Sequence, residues 1–299
     1  MTRYRSLVRR LQQQDTLNFW LTNRIPRKLL TRWMGRLSRV ESPRLTALLL
    51  RVWRMFADDL RLEEAESSEF SSLHACFTRK LKPGARPVDS RPEVIVSPCD
   101  AEVGACGSIG DGTLLQAKGM VYRMVDLLCD RSLAAAHQGG SFATLRLKSS
   151  MYHRFHAPCH GSLDYVDYVA GEVHNVNPPT LKRIPGLFCR NERAILPLAT
   201  GFGPVTLIPV AAVLVASMRL ARLPYPLDLQ YRGPNRIQCR SQFKKGDELG
   251  YFEHGSTIIL LTGPGLEFDP KIRGGKIVLT AQPLLHRANR SQDTQPGGP

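Results

Sequence analysis

The chain lacks any stretch long and apolar enough to cross a membrane as a helix. Its longest apolar run, Leu207 to Val215, is broken by Pro209 and falls far short of the ~20 residues that a span requires. No apolar core followed by a small-residue cleavage site opens the sequence, so no signal peptide is expected. Cysteine is sparse and unpatterned. The seven residues at 76, 99, 106, 129, 159, 189 and 239 are odd in number and include no C-x-x-C pair. That argues against a disulfide framework and a zinc site, and it fits a reducing compartment. Acidic residues are also short, with 26 Asp and Glu against 41 Lys and Arg, a formal charge of +15. A surplus of that size predicts an anionic partner, either nucleic acid or acidic lipid.

Position decides between the two. Residues 1–54 hold 13 Lys and Arg against only Asp15 and Glu41, and all three tryptophans (20, 33 and 53) lie there as well. Leu29, Leu30, Trp33, Met34 and Leu37 recur at helical spacing with Arg27, Lys28, Arg32, Arg36 and Arg39 between them. A second helical pattern runs through Leu45, Leu48, Leu49, Val52, Trp53 and Phe56. Ser42 is a candidate N-cap for it, with Pro43 at the first helical position. Basic side chains on one face and Trp and Leu on the other suit a helix lying in a membrane interface. The bland alternative is that these helices pack on the rest of the protein with their arginines solvated. Nucleic acid is the weaker use of the charge, because no zinc-finger spacing, aromatic RNA-binding signature or base-reading helix is present.

Around 58–72 the composition turns acidic and Ser-rich, a plausible boundary. From Lys82-Pro83-Gly84 onward, short apolar runs alternate with Gly, Pro and Asp. Val94–Val96, Ala143–Leu145, Ile195–Leu196, Val205–Val215, Ile258–Leu261 and Ile277–Leu279 read as strands. Met120–Leu128 and Arg131–His137 read as helices. The fold expected is therefore α+β, with a mostly β domain behind amphipathic helices.

Three stretches carry polar groups that an apolar β-domain does not need. Asp100 follows a strand-like run in Ser97-Pro98-Cys99-Asp100. His153 and His156 stand three apart in Tyr152-His153-Arg154-Phe155-His156-Ala157-Pro158. Ser256 follows Gly255 just before the apolar run Ile258–Leu261. A carboxylate, an imidazole and a hydroxyl are the parts of an Asp–His–Ser relay. Spacing alone does not select that reading. A chain with eight His offers many such triples, an i,i+3 His pair is more often structural or metal-binding, and a Gly-Ser-Thr tripeptide is usually a turn. A metal is the poorer option, since no nearby Cys or acidic side chain completes a ligand set.

Seven stretches in order resemble the phosphatidylserine decarboxylases, pyruvoyl-dependent phospholipid enzymes. They are LKPGARPVD (81–89), SPCD (97–100), LQAKG (115–119), YHRFHAP (152–158), VNP (176–178), RNER (190–193) and GST (255–257). The resemblance implies a β-rich domain related to barrel-sandwich hybrid folds. It implies that Ser256 Oγ attacks the Gly255 carbonyl, converting the peptide bond to an ester. β-Elimination then cuts the chain into a large (β) chain, 1–255, and a small (α) chain, 256–299. Ser256 ends as a covalent pyruvoyl cofactor on which the amine of phosphatidylserine forms a Schiff base, CO2 leaves, and phosphatidylethanolamine is released. Asp100 and His156 match the family's self-cleavage pair, and His153 matches a residue implicated in decarboxylation.

Composition and resemblance together divide the chain into a membrane-associating segment over 1–65 and a catalytic domain over 66–286, and the polar ending with Pro-Gly-Gly-Pro reads as a disordered tail over 287–299. The resemblance also implies a dimer of the two-chain unit, peripheral on the cytoplasmic face of the bacterial inner membrane, with an anionic phospholipid surface as its partner. Two departures stand out. His254 occupies a position where Leu is common, and Ala101 one where Gly is common. His254 is expected to face solvent. Rival readings are the same chemistry on another serine-headed lipid, or an inactive membrane-bound interaction module. For Lys118, Arg154, Arg190 and Arg193, structural ion pairing and phosphate contact stand level. Asn177 reads as a turn residue, and Cys99 and Cys159 as small buried hydrophobes.

Overall fold

The computed structural model describes residues 27–57, 60–117, 120–212, 217–253 and 256–288. Helix α1 spans Arg27–Ser38 and α2 spans Pro43–Phe56. Both follow the apolar spacing of the sequence. Ser42 caps α2 by accepting the Leu45 amide, with Pro43 in the first turn, a cap worth about 1 kcal/mol. A short helix α3 (Leu73–Phe77) follows, and after it the chain turns to strands.

In chain order these strands are β1 (Val94–Val96), β2 (Ala101–Ser108), β3 (Thr113–Ala117), β4 (Met120–Arg123), β5 (Ser141–Leu147), β6 (Arg154–His156), β7 (Gly161–Val169), β8 (Arg193–Thr200) and β9 (Gly203–Val210). They continue as β10 (Ser217–Leu220), β11 (Leu227–Asp228), β12 (Arg236–Phe243), β13 (Glu248–Phe252), β14 (Ser256–Thr262), β15 (Leu266–Phe268), β16 (Ile277–Val278) and β17 (Pro283–Arg287). Helices α4 (Met124–Leu128), α5 (Arg131–Ala136), α6 (Pro178–Leu181) and α7 (Leu187–Arg190) interrupt them. The fold is α+β and β-rich, as the sequence predicts.

An antiparallel sheet of eight strands runs in the order β12-β7-β8-β9-β14-β5-β2-β16 and does not close on itself. Strand β14 lies inside it, paired to β9 on one side and β5 on the other. Its side chains alternate between two cores. Ile258 and Leu260 join one apolar cluster, and Ile259 and Leu261 the other. A strand buried on both faces needs apolar residues at consecutive positions, which explains the unbroken Ile258–Leu261 run. Helix residues Met124, Leu127 and Phe188 fill one core. The other core takes Phe155, Met218, Leu220, Leu249 and Phe252 from a second, four-stranded sheet, β11-β10-β13-β6.

Between Phe252 and Ser256 the chain passes from the four-stranded sheet to the interior of the eight-stranded one. Close packing holds the approach. A Cβ on Gly250 would lie 2.3 Å from the Arg219 carbonyl oxygen and 2.7 Å from the Phe155 ring, so glycine is required there.

One expected helix is corrected. Met120–Arg123 is a strand paired to β3, with Tyr122 opposite Leu114 and Val121 opposite Leu115. Helix begins only at Met124. Tyr122 is buried while Val121 and Arg123 are exposed, the period-2 alternation of a strand, which a four-residue apolar run does not separate from helix. The expected strand from Val205 ends at Val210, and its last positions, 213–215, lie outside the described residues. So do Trp20, residues 289–299 of the expected tail, Lys118, Gly119, His254 and Gly255.

Candidate active site

Pairing in the central sheet places Ser256 at the start of β14, opposite Leu147 at the end of β5. The chain leaves β5 through Lys148–Met151 and reaches Tyr152 and His153 before entering β6. All the histidine-motif residues are thus delivered from the strand that neighbours Ser256.

His156 closes β6. Its amide donates to the Pro98 carbonyl at 2.7 Å, which joins the histidine strand to the Ser97–Asp100 loop. Its Nδ1 lies 2.8 Å from the Gly246 carbonyl oxygen, and its Nε2 lies 3.0 Å from the Tyr152 hydroxyl. A carbonyl only accepts, so Nδ1 carries the proton and Nε2 is the acceptor nitrogen. Burial pushes the imidazole below its ordinary value of 6.5, against the opposing pull of the Gly246 carbonyl, Glu248 and Asp100. The ring is held neutral in one tautomer, with its basic nitrogen accepting the Tyr152 hydroxyl.

Asp100 is buried and engaged elsewhere. Arg86 donates through Nε at 2.9 Å and Nη2 at 2.6 Å, and Thr280 donates to Oδ1 through its amide at 2.8 Å and its hydroxyl at 2.9 Å. Arg86 Nη2 also reaches Glu64 at 2.7 Å. Among the described residues no hydrogen bond joins Asp100 to His156. The structure brings the two segments together through Pro98, but a backbone carbonyl, not the carboxylate, holds the His156 tautomer. Asp100 acts on the imidazole as a nearby charge.

His153 is fully buried. Its ring stacks on Phe77 at 3.9 Å and 20°, and Phe77 stacks in turn on Trp53 at 5.7 Å. Its Nε2 lies 3.3 Å from the Ser149 carbonyl, and its own carbonyl accepts the Phe252 amide at 3.0 Å. The histidine backbone is thereby bound to the strand that leads to Gly255. A cavity of about 220 Å³ opens beside Asp100 and Tyr152, lined also by Glu64, Arg79, Arg86 and Lys148.

A description of the phosphatidylserine decarboxylase family matches residues 73–286. The chain belongs to that family. Among its relatives is a phosphatidylserine decarboxylase proenzyme of Aliivibrio fischeri (strain ATCC 700601 / ES114), 37% identical over 291 residues, covering 91% of this chain and 98% of that protein. The proenzyme of Vibrio campbellii is 36% identical, covering 91% and 97%. That of Shewanella baltica (strain OS155) is 36% identical, covering 83% and 88%.

Within this member of the phosphatidylserine decarboxylase family, several motif residues have structural tasks. Arg193 is buried and donates to the carbonyls of Leu127, Cys189, Asn191 and Asp126 at 2.7–3.0 Å. Among the described residues it has no ion-pair partner, and its donors are taken up by these carbonyls. Arg154 pairs with Glu248 at 2.6 Å and donates to the Thr78 carbonyl. Asn177 caps α6 by accepting the Thr180 amide and hydroxyl, and Cys99 and Cys159 are buried. Sequence reasoning assigned no role to Tyr152, Arg86, Phe77 or the Gly246 carbonyl. Tyr152 and Arg86 lay inside two of the motif stretches, whereas a backbone acceptor leaves no sequence signal.

Proposed function

We propose that the chain is a self-processing phosphatidylserine decarboxylase, a carboxy-lyase that converts phosphatidylserine to phosphatidylethanolamine and CO2. The observation that carries this reading, beside membership of the family, is the neutral His156 with Nε2 as acceptor, in a motif that follows the strand paired with Ser256. Serine is a weak nucleophile near neutral pH unless a base takes its proton. His156 is that base for Ser256. Ser256 Oγ forms a bond to the Gly255 carbonyl carbon, the C–N bond breaks, and an ester replaces the amide. Loss of the Ser256 α-proton and cleavage of the ester C–O bond then release residues 1–255 with a carboxylate on Gly255, leaving residue 256 as a dehydroalanine that takes up water and expels ammonia to become the pyruvoyl group. Asp100 contributes negative charge that favours the imidazolium formed in the first step.

The residues fit the pyruvoyl cofactor in this respect: Ser256 starts a strand held on both sides, so its new N-terminus stays fixed after cutting. The group would supply a carbonyl electron sink of a kind no ordinary side chain offers. His153, stacked and buried, is the residue for the decarboxylation stage, handling a proton or holding substrate.

Helices α1 and α2 are the membrane-facing part. Leu29, Trp33, Leu48, Val52 and Met55 are exposed alongside the exposed Arg36, Arg44, Arg51 and Arg54. Among the described residues no helix is long and apolar enough to cross a membrane, so the proposed attachment is peripheral, to anionic lipid of the inner membrane.

Intact-mass measurement tests the reading. Purified protein is expected as chains of residues 1–255 and 256–299, the smaller with a carbonyl in place of its amino terminus. Ser256→Ala is expected to remain one chain without activity. A wild-type chain that folds and stays whole would overturn the proposal.

A further inference from the structure

Glu253 lies just beyond β13 and two residues before Gly255, and its side chain is almost fully buried. A carboxylate at such depth is tolerated only when cations and donors surround it. Two arginines and a histidine, from three segments, surround it. Arg39, which follows α1, donates to Oε2 through Nη2. Arg219 of β10 approaches Oε1 at 3.8 Å, and His74 of α3 at 3.9 Å. The Glu253 amide donates to the Ser217 carbonyl at 3.2 Å. Burial pushes the carboxyl up, but Arg39, Ser217 and His74 outweigh it, so the group is held below its ordinary range and charged. Burial also pushes the His74 imidazole down, which leaves the arginines to carry the positive charge.

Arg39 is separated from Glu253 by 214 positions and belongs to the basic helical segment, not to the sheets. Its grip therefore fixes the end of β13 to the amphipathic helices. Two extended residues span about 7 Å, so Glu253 anchors the chain within that reach of the Gly255–Ser256 bond. Attack by a hydroxyl on the preceding carbonyl is sensitive to placement, and an error of about 1 Å costs on the order of a hundredfold in rate.

We infer that Arg39 is a positioning residue for self-cleavage: by clamping Glu253 it holds the approach to the scissile bond, so that processing requires the first helix to be docked on the catalytic domain. The inference rests on the proposed cleavage between 255 and 256. After the cut Glu253 is third from the end of the large chain, and the same pair keeps that end in place.

The test follows precursor conversion by intact mass after synthesis in a cell-free system, in full-length protein. Arg39→Ala is expected to slow conversion about tenfold or more, while Arg39→Lys, which retains the charge, keeps most of the rate. Because the Arg39 side chain is 51% exposed, guanidinium ion at non-denaturing concentration is expected to restore part of the Arg39→Ala rate. Each substitution is also made on Ser256→Ala, whose precursor does not convert, and near-ultraviolet circular dichroism of that form reports whether the domain is intact. An intact Arg39→Ala domain that converts at the wild-type rate would overturn the inference. So would equal slowing of the Ala and Lys variants with no response to guanidinium, which would mark a packing role only. Failure of the wild type to convert would strike the cleavage reading itself, and so is told apart.

Discussion

Removing the Tyr152 hydroxyl perturbs the proposed base at one atom. Tyr152→Phe keeps the ring that stacks on His156 at 5.7 Å and deletes only the O–H that donates to Nε2 at 3.0 Å. A buried hydrogen bond of this kind contributes about 1 kcal/mol net. The hydroxyl donates to a lone pair that exists only on the neutral ring, so it favours the neutral form. Its loss raises the His156 pKa. At 1.36 kcal/mol per pKa unit, about 1 kcal/mol corresponds to a shift of about 0.7 unit. His156 takes a proton only when neutral. Cleavage is therefore at its plateau above the imidazole pKa, which burial sets below 6.5, and falls as pH drops through it. In Tyr152→Phe this acid limb moves upward by about 0.7 unit or less, with the neutral-pH plateau retained because Nε2 keeps the lone pair that takes the proton. The assay is conversion of freshly made precursor, read by intact mass from pH 4.5 to 8. A plateau lowered about a hundredfold or more in a folded precursor, the scale of a lost proton carrier, would make Tyr152 the group that moves the proton. Direct transfer to His156 would then be refuted.

Other outcomes follow from the same geometry. His153→Ala is expected to cut normally and to lose decarboxylation, measured as CO2 release per cleaved molecule; normal turnover would remove its role. Gly250→Ala forces a Cβ against the Arg219 carbonyl and Phe155, so its thermal midpoint should fall with a cost of about 1–3 kcal/mol, and an unchanged midpoint would deny the close packing. Binding to anionic vesicles should weaken steeply as salt is raised from 0.05 to 0.5 M, because the α1 and α2 arginines act through screened charge; salt-insensitive binding would assign attachment to the apolar side chains alone.

Much of the fold was legible because local chemistry and tertiary need agreed. Ser42-Pro43 starts a helix in sequence and in space, and the Ile258–Leu261 run is the signature of a strand covered on both faces. Met120–Arg123 misled because four residues are too few to reveal their period until β3 supplies a partner. The site divides along a similar line. Ser256, His156, His153 and Asp100 were proposed from motif order; the structure joins the His156 and Asp100 segments through Pro98 and pairs Ser256 with the end of β5. What was illegible came from contacts without local pattern: a carbonyl of Gly246 orienting His156, Phe77 seated on His153, and an arginine that meets Glu253 from 214 positions away.

The interior position of β14 has a consequence for how the processed protein ages. Strand β14 sits between β9 and β5, β16 pairs with β2, and β17 with β1, so a cut before Ser256 leaves the small chain threaded through the large one's sheets. Folding of the uncut chain is a one-molecule event, whereas re-forming the cut pair would need two molecules to meet and rebuild a central strand. The proposed self-cleavage would thus exchange reversible for kinetic stability: once unfolded, the processed protein would depend on concentration to recover, and its working lifetime would be set by how slowly that sheet first opens.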